Sequence, residues 1–120
     1  MQEKIKILYV DDEFINLQLF KIIFSKKYEV LTELNPIKAL EILDKELEIS
    51  IVISDMRMPQ ISGIEFIKKA KEKYSDKKYF ILTGYEITEE IRQALDNRLI
   101  LEHFKKPFDI NQISKAIEAA

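Results

Sequence analysis

Five short apolar runs alternate along the chain with five stretches whose apolar residues recur at helical spacing, and this alternation constrains the fold more than any other feature. Residues 4–10 are β-branched, apolar and aromatic and are closed by Asp11, Asp12 and Glu13, which predicts a strand. Residues 14–25 place Phe14, Leu17, Phe20, Ile23 and Phe24 at helical spacing, and residues 28–32 predict a second strand. Asn35 and Pro36 then read as a cap and a first-turn proline, opening a helix with the stripe Ile37, Leu40, Leu43 and Leu47. Residues 49–54 are almost unbroken in their apolarity, as expected of a central parallel strand covered on both faces. Ser62 and Glu65 form a capping box before Ile64, Ile67, Ala70 and Tyr74. Residues 79–83 predict a fourth strand, and Ile87, Ile91, Leu95 and Leu99 a fourth helix. Residues 100–105 predict a fifth strand, and Asp109 with Gln112 caps a last helix bearing Ile113, Ala116 and Ile117. Regular alternation with right-handed crossovers predicts an α/β fold, a doubly wound five-stranded parallel sheet with helices on both faces. The strand order 2-1-3-4-5 is a common solution for five such units and is the one expected here, with its switch point between strands one and three.

A chain of 120 residues suits one domain, and no repeat, low-complexity tract or linker divides it. A single domain over 1–120 is expected, with no output domain in it. The net charge is −2, and lysines and glutamates are interspersed, so no basic block advertises direct nucleic-acid binding. The absence of cysteine excludes a disulfide framework and a thiolate metal site. The opening MQEKIK resembles neither a signal peptide nor a membrane span, so a cytoplasmic location without membrane contact is expected. Gly63 and Gly84 are the two glycines, too few for a G-x-G-x-x-G or a P-loop, which argues against a flavodoxin-like cofactor binder.

In sheets of this kind ligands bind at the carboxyl ends of the strands. Strand one ends at Asp11 and Asp12, strand three at Asp55, strand four at Thr83 and Gly84, and strand five at Lys106 before Pro107. Two carboxylates about 4 Å apart repel by about 4 kcal/mol at an effective dielectric near 20, and a third adds to this. Mg²⁺ offsets such repulsion and favours one or two carboxylates plus water and phosphate oxygens. Beside it Asp55 can attack a phosphoryl group, Lys106 can hold a phosphoryl oxygen, and Thr83 can hydrogen-bond the product. Taken singly each residue has an ordinary reading: Asp12 as a cap of the first helix, Asp55 as a turn acid before Pro59, Lys106 as a solvated lysine. What distinguishes them is their convergence on one edge of one sheet.

The stretches YVDDE (9–13), SDMRMPQISG (54–63), LTG (82–84) and KPF (106–108) resemble the four motifs of receiver domains of bacterial two-component response regulators. The resemblance spans essentially the whole chain and implies a flavodoxin-like (βα)5, CheY-like domain that takes a phosphoryl group from a sensor histidine kinase or phosphotransfer protein. It implies a signalling phosphoacceptor with self-phosphorylation and self-dephosphorylation chemistry and not a metabolic enzyme. By that resemblance Asp55 is the phosphoacceptor; Asp12 binds Mg²⁺ directly, Asp11 partly through water, and the backbone carbonyl of Arg57 is a third ligand. Thr83 matches the switch hydroxyl and Lys106 the family lysine. The fourth helix, fifth strand and fifth helix match a partner or homodimer face.

The chain departs from the family pattern three residues before the lysine, where His103 replaces a tyrosine or phenylalanine. Two readings are open: a partly exposed strand histidine, or a residue that makes the switch sensitive to pH. Phe104, its neighbour, points to the other face and belongs to the core. Arg57 and Tyr85, two past the phosphoacceptor and two past the switch threonine, match positions that tune phosphoryl lifetime, and both are large enough to shield it. Two rivals remain. A haloacid-dehalogenase-type phosphohydrolase needs a second aspartate where Arg57 stands, and a phosphorylation-independent interaction module of this fold would have no use for the full set of acids and Lys106.

Overall fold

The computed structural model describes residues 4–84 and 86–120. Five parallel strands, β1 (Lys6–Val10), β2 (Glu29–Glu33), β3 (Ile51–Ser54), β4 (Lys78–Thr83) and β5 (Glu102–Lys105), lie in the order β2-β1-β3-β4-β5. Each is followed by a helix: α1 (Phe14–Phe24), α2 (Pro36–Lys45), α3 (Gly63–Lys73), α4 (Glu89–Asp96) and α5 (Ile110–Ala119). The expected α/β doubly wound sheet and its order are borne out. Among the described residues, no helix is long and apolar enough to cross a membrane.

Strand alternation sends successive side chains to opposite faces and builds two cores. Leu8, Val10, Val52 and Ile81 pack beneath α2, α3 and α4 with Ala39, Leu43, Ile67 and Ile91. On the other face Ile7, Tyr9, Ile53, Phe80 and Leu82 meet α1 and α5 through Leu17, Phe20, Phe24, Ile113 and Ile117. All four residues of β3 are buried, as its unbroken apolar run implies. Phe104 is core, stacked on Phe80 with ring centroids 5.5 Å apart. Burying each such side chain contributes roughly 1.5–3 kcal/mol. The edge strands β2 and β5 carry exposed charge at Glu29, Glu102 and Lys105.

The caps at Asn35, Ser62 and Asp109 are present, and Ser62 and Glu65 satisfy each other's backbone N–H groups. Several boundaries and stripes differ from the sequence expectation. Strands β1, β2, β3 and β5 start one or two residues later than expected and β4 one earlier, because pairing begins where the neighbouring strand supplies a partner. Helix α2 buries Pro36, Ala39 and Leu43, so Ile37 faces water, and Leu47, past the helix end, is 64% exposed. Thr88 caps α4 by accepting from the Ile91 N–H, which leaves Ile87 outside the helix and exposed. At the other end Arg98 reverses the chain with φ 59°, so Leu99 is half-buried and Ile100 enters the core. Phe14, the first residue of α1, is exposed, whereas Leu17, Phe20 and Phe24 carry its buried face.

Candidate functional site

The backbone brings the acids together before any side chain is considered. The Asp55 N–H donates to the Val10 carbonyl at 2.8 Å and the Asp11 N–H to the Glu33 carbonyl at 3.2 Å, extending the β1 and β3 ladders one residue beyond the strands. On the far side the Lys106 N–H donates to the Thr83 carbonyl at 2.8 Å, and the Lys106–Pro107 peptide is cis. The first residue of α3 closes in from below: a Cβ on Gly63 would stand 2.2 Å from the Asp55 carbonyl oxygen and 2.9 Å from Ile81 Cδ1. Its φ is not in the left-handed region, so it is space and not backbone freedom that calls for glycine here.

Asp11, Asp12 and Asp55 each present a carboxylate oxygen within 4.8 Å of the others. At that separation and an effective dielectric near 20 each pair repels by roughly 3–4 kcal/mol. The Lys106 ammonium offsets part of this, with Nζ 2.8 Å from Asp11 Oδ2 and 3.4 Å from Asp55 Oδ1. The Met56 N–H also donates to Asp55 Oδ1, at 2.9 Å. Burial, and next the charge of Asp11, push the Asp55 carboxyl up to about 6, against the opposing pull of Lys106. For Lys106 burial works against the charge, but the Asp11 hydrogen bond and the Asp55 charge outweigh it and hold the ammonium above its ordinary range.

Asp11 is fully buried and has both oxygens engaged. Oδ1 accepts the Glu13 N–H at 2.9 Å, and Oδ2 accepts Lys106 and, at 2.5 Å, the hydroxyl of Tyr9. Burial, followed by the charge of Asp11, holds the Tyr9 phenol far above its ordinary range, so this hydroxyl is a donor at any working pH. Asp12, by contrast, is exposed and lines an open cleft of about 600 Å³ with Glu13, Asp55, Arg57, Met58, Pro59, Gly84 and Lys106. The N-cap of α1 is Glu13, whose own side chain makes no cap bond, so Asp12 does not occupy the cap position. Three acids against one ammonium, all hard oxygen donors around an open cleft, fit a divalent cation such as Mg²⁺.

The residues expected from strand ends thus meet: Asp11, Asp12, Asp55 and Lys106 form one cluster, Thr83 is buried at the end of β4 beside it, and Arg57 lines the cleft. His103 is half-buried on β5, paired with Ile81, and does not line the cleft. Tyr85 lies outside the described residues. Sequence reasoning missed Tyr9, although its signal was present, since residues two apart on a strand share a face.

The family model of the response regulator receiver domain matches residues 7–118. The chain is 34% identical over 114 residues to sporulation initiation phosphotransferase F of Bacillus subtilis (strain 168), covering 94% of this chain and 90% of that protein. It is 30% identical over 114 residues to the hydrogenase transcriptional regulatory protein HoxA of Bradyrhizobium diazoefficiens, covering 95% of this chain but spanning 23% of that protein's length. Among solved structures it is similar to the response regulator TrrA of Thermotoga maritima in complex with Mg²⁺ and beryllium fluoride. That match has a TM-score of 0.81 and 29% identity, over 96% of this chain and 97% of that one.

Proposed function

Because the chain belongs to the response regulator receiver domains, the signalling phosphoacceptors of two-component systems, we propose that Asp55 is its phosphoacceptor and that a kinase or phosphotransfer phosphohistidine is the donor. The observation that carries this reading is the position of Lys106 Nζ, 2.8 Å from Asp11 and 3.4 Å from Asp55, beside a cleft to which Asp12, Glu13 and Asp55 bring carboxylates. In the transfer an Asp55 carboxylate oxygen attacks phosphorus, the new O–P bond forms as the N–P bond of the donor breaks, and the electron pair leaves with the imidazole nitrogen. Lys106 takes up a phosphoryl oxygen, and the Thr83 hydroxyl turns to another, drawing the end of β4 toward the site. Asp12, Asp55 and the Arg57 backbone carbonyl are the residues that would hold Mg²⁺, with Asp11 assisting through water. Bound there, the ion supplies positive charge that offsets repulsion between the acids and the transferring phosphoryl group.

The arrangement favours this over a phosphorylation-independent module, which would carry the cost of three clustered acids for no return. Shared identity with a named phosphotransferase supports a kinase or phosphotransfer partner. The face of α4, β5 and α5 is the expected partner or homodimer surface; Leu101 and Ile110 are exposed apolar residues beside it. Intact-mass measurement after treatment with acetyl phosphate or phosphoramidate and Mg²⁺ tests the assignment. One phosphoryl group should be added, and none in Asp55→Asn or with a chelator. A wild-type chain that gains none, or a variant that gains as much, overturns it.

A further inference from the structure

Lys106 is asked to be in two places. In the unphosphorylated domain its ammonium is bonded to Asp11 Oδ2 at 2.8 Å and stands further, at 3.4 Å, from Asp55. A phosphoryl group on Asp55 offers this ammonium new oxygens on the Asp55 side, and a shift toward them lengthens or breaks its bond to Asp11. Asp11 is fully buried, and a buried carboxylate oxygen that loses its donor carries the full cost of its lost solvation. The Tyr9 hydroxyl, 2.5 Å from the same Oδ2, remains when Lys106 departs. Its ring cannot follow the ammonium, since it is fully buried and packed on Phe20 with centroids 4.4 Å apart. Core packing at this position asks only for an apolar ring. The hydroxyl adds a donor aimed at one oxygen.

We propose that Tyr9 is a positioning residue for phosphoryl transfer: its hydroxyl keeps Asp11 fixed and hydrogen-bonded while Lys106 crosses from Asp11 to the phosphoryl group on Asp55. The proposal rests on the phosphoacceptor reading above, and it adds a residue buried beneath the cleft to those that line it.

Tyr9→Phe removes the hydroxyl and keeps the ring. Hydrogen bonds to charged groups are strong enough that losing one costs about tenfold or more in an equilibrium that depends on it. Two ligands separate the roles. On this proposal Mg²⁺ alone presents no phosphoryl oxygen for Lys106 to move to, whereas beryllium fluoride with Mg²⁺, a stable phosphoryl mimic on the aspartate, does. Titration calorimetry on the folded variant should show Mg²⁺ affinity within about twofold of wild type and beryllium fluoride affinity reduced about tenfold, with phosphorylation by phosphoramidate slowed in parallel. Equal weakening of both ligands would mean that the hydroxyl only stiffens the site, and no weakening of either would mean that Asp11 needs no second donor; each overturns the proposal. If wild type itself neither binds beryllium fluoride nor accepts a phosphoryl group, the phosphoacceptor reading fails first and this one with it.

Discussion

Replacing Asp55 by asparagine should make the metal-free domain more stable, even though it removes the reactive group. The carboxyl ionises at about 6 in the fold against 3.8 ordinarily, because burial and Asp11 both oppose its charge. A difference of that size corresponds to roughly 3 kcal/mol against the charged form, and the cleft is open to water, so about 1–2 kcal/mol is the expected gain after screening. For a chain of this length that is about 4–8 °C in melting temperature. The pH dependence follows from the direction of the shift. Between 3.8 and about 6 the native state holds a proton that the unfolded chain has released, so wild type loses stability as pH rises through that window. The gap between Asp55→Asn and wild type should therefore be full at pH 7.5, fall to roughly a third by pH 4.5, and close further below. Paired thermal or urea unfolding of both proteins in chelator measures it, and other titrating groups largely cancel in the difference. Mg²⁺ should raise wild type toward the variant. An equal gap at both pH values, or a variant less stable than wild type at pH 7.5, would refute the view that Asp55 is held ionised against its surroundings.

Gly63→Ala should cost about 2–3 kcal/mol, in the upper part of the range for an overpacked site, because its Cβ would stand 2.2 Å from a backbone oxygen that cannot swing aside; unfolding measurements together with the phosphoramidate rate check it, since the atom displaced belongs to Asp55. Arg57→Ala should shorten the life of the phosphorylated form several-fold by opening the cleft wall to water, followed as phosphate release from the loaded domain; an unchanged rate would remove the shielding role.

The α/β class was legible because apolar runs and helical patterns alternate, and the nearly unbroken run 49–54 fits the middle of a parallel sheet, whereas the strand order was expected only as a common solution for five such units. The convergence of Asp11, Asp12 and Asp55 followed from that order, since β1 and β3 are neighbours at the switch point, and Lys106 joins them from the same carboxyl edge of the sheet. Periodicity was a poorer guide to which apolar residues are buried. Ile37 keeps helical spacing with Leu40, and Leu47 with Leu43, yet the first faces water and the second lies beyond the last turn. A stripe specifies a face, and where the helix sits over the sheet decides how much of that face is covered. The partners of Asp11 were illegible for another reason. Lys106 lies 95 residues away in the chain, and nothing local states that its resting partner is Asp11 more than Asp55. Gly63 left a faint trace as a poor helix former directly after a cap, but the carbonyl it accommodates belongs to a residue eight positions earlier.

The charges on the two edge strands bear on how copies of this domain behave when crowded. An edge strand offers unpaired backbone groups to any neighbour, and sequences guard such edges with charge. Along β2 the guard is of one sign: Glu29 and Glu33 stand at its two ends, so a second β2 added in either direction would set glutamate against glutamate. Along β5 the ends are Glu102 and Lys105, and an antiparallel copy would set each against its opposite. The sheet is therefore closed to self-extension on one side and electrostatically permissive on the other. Any ordered growth of the sheet between molecules would run through β5 and stop after one addition, because joining two β5 edges leaves only the β2 edges exposed.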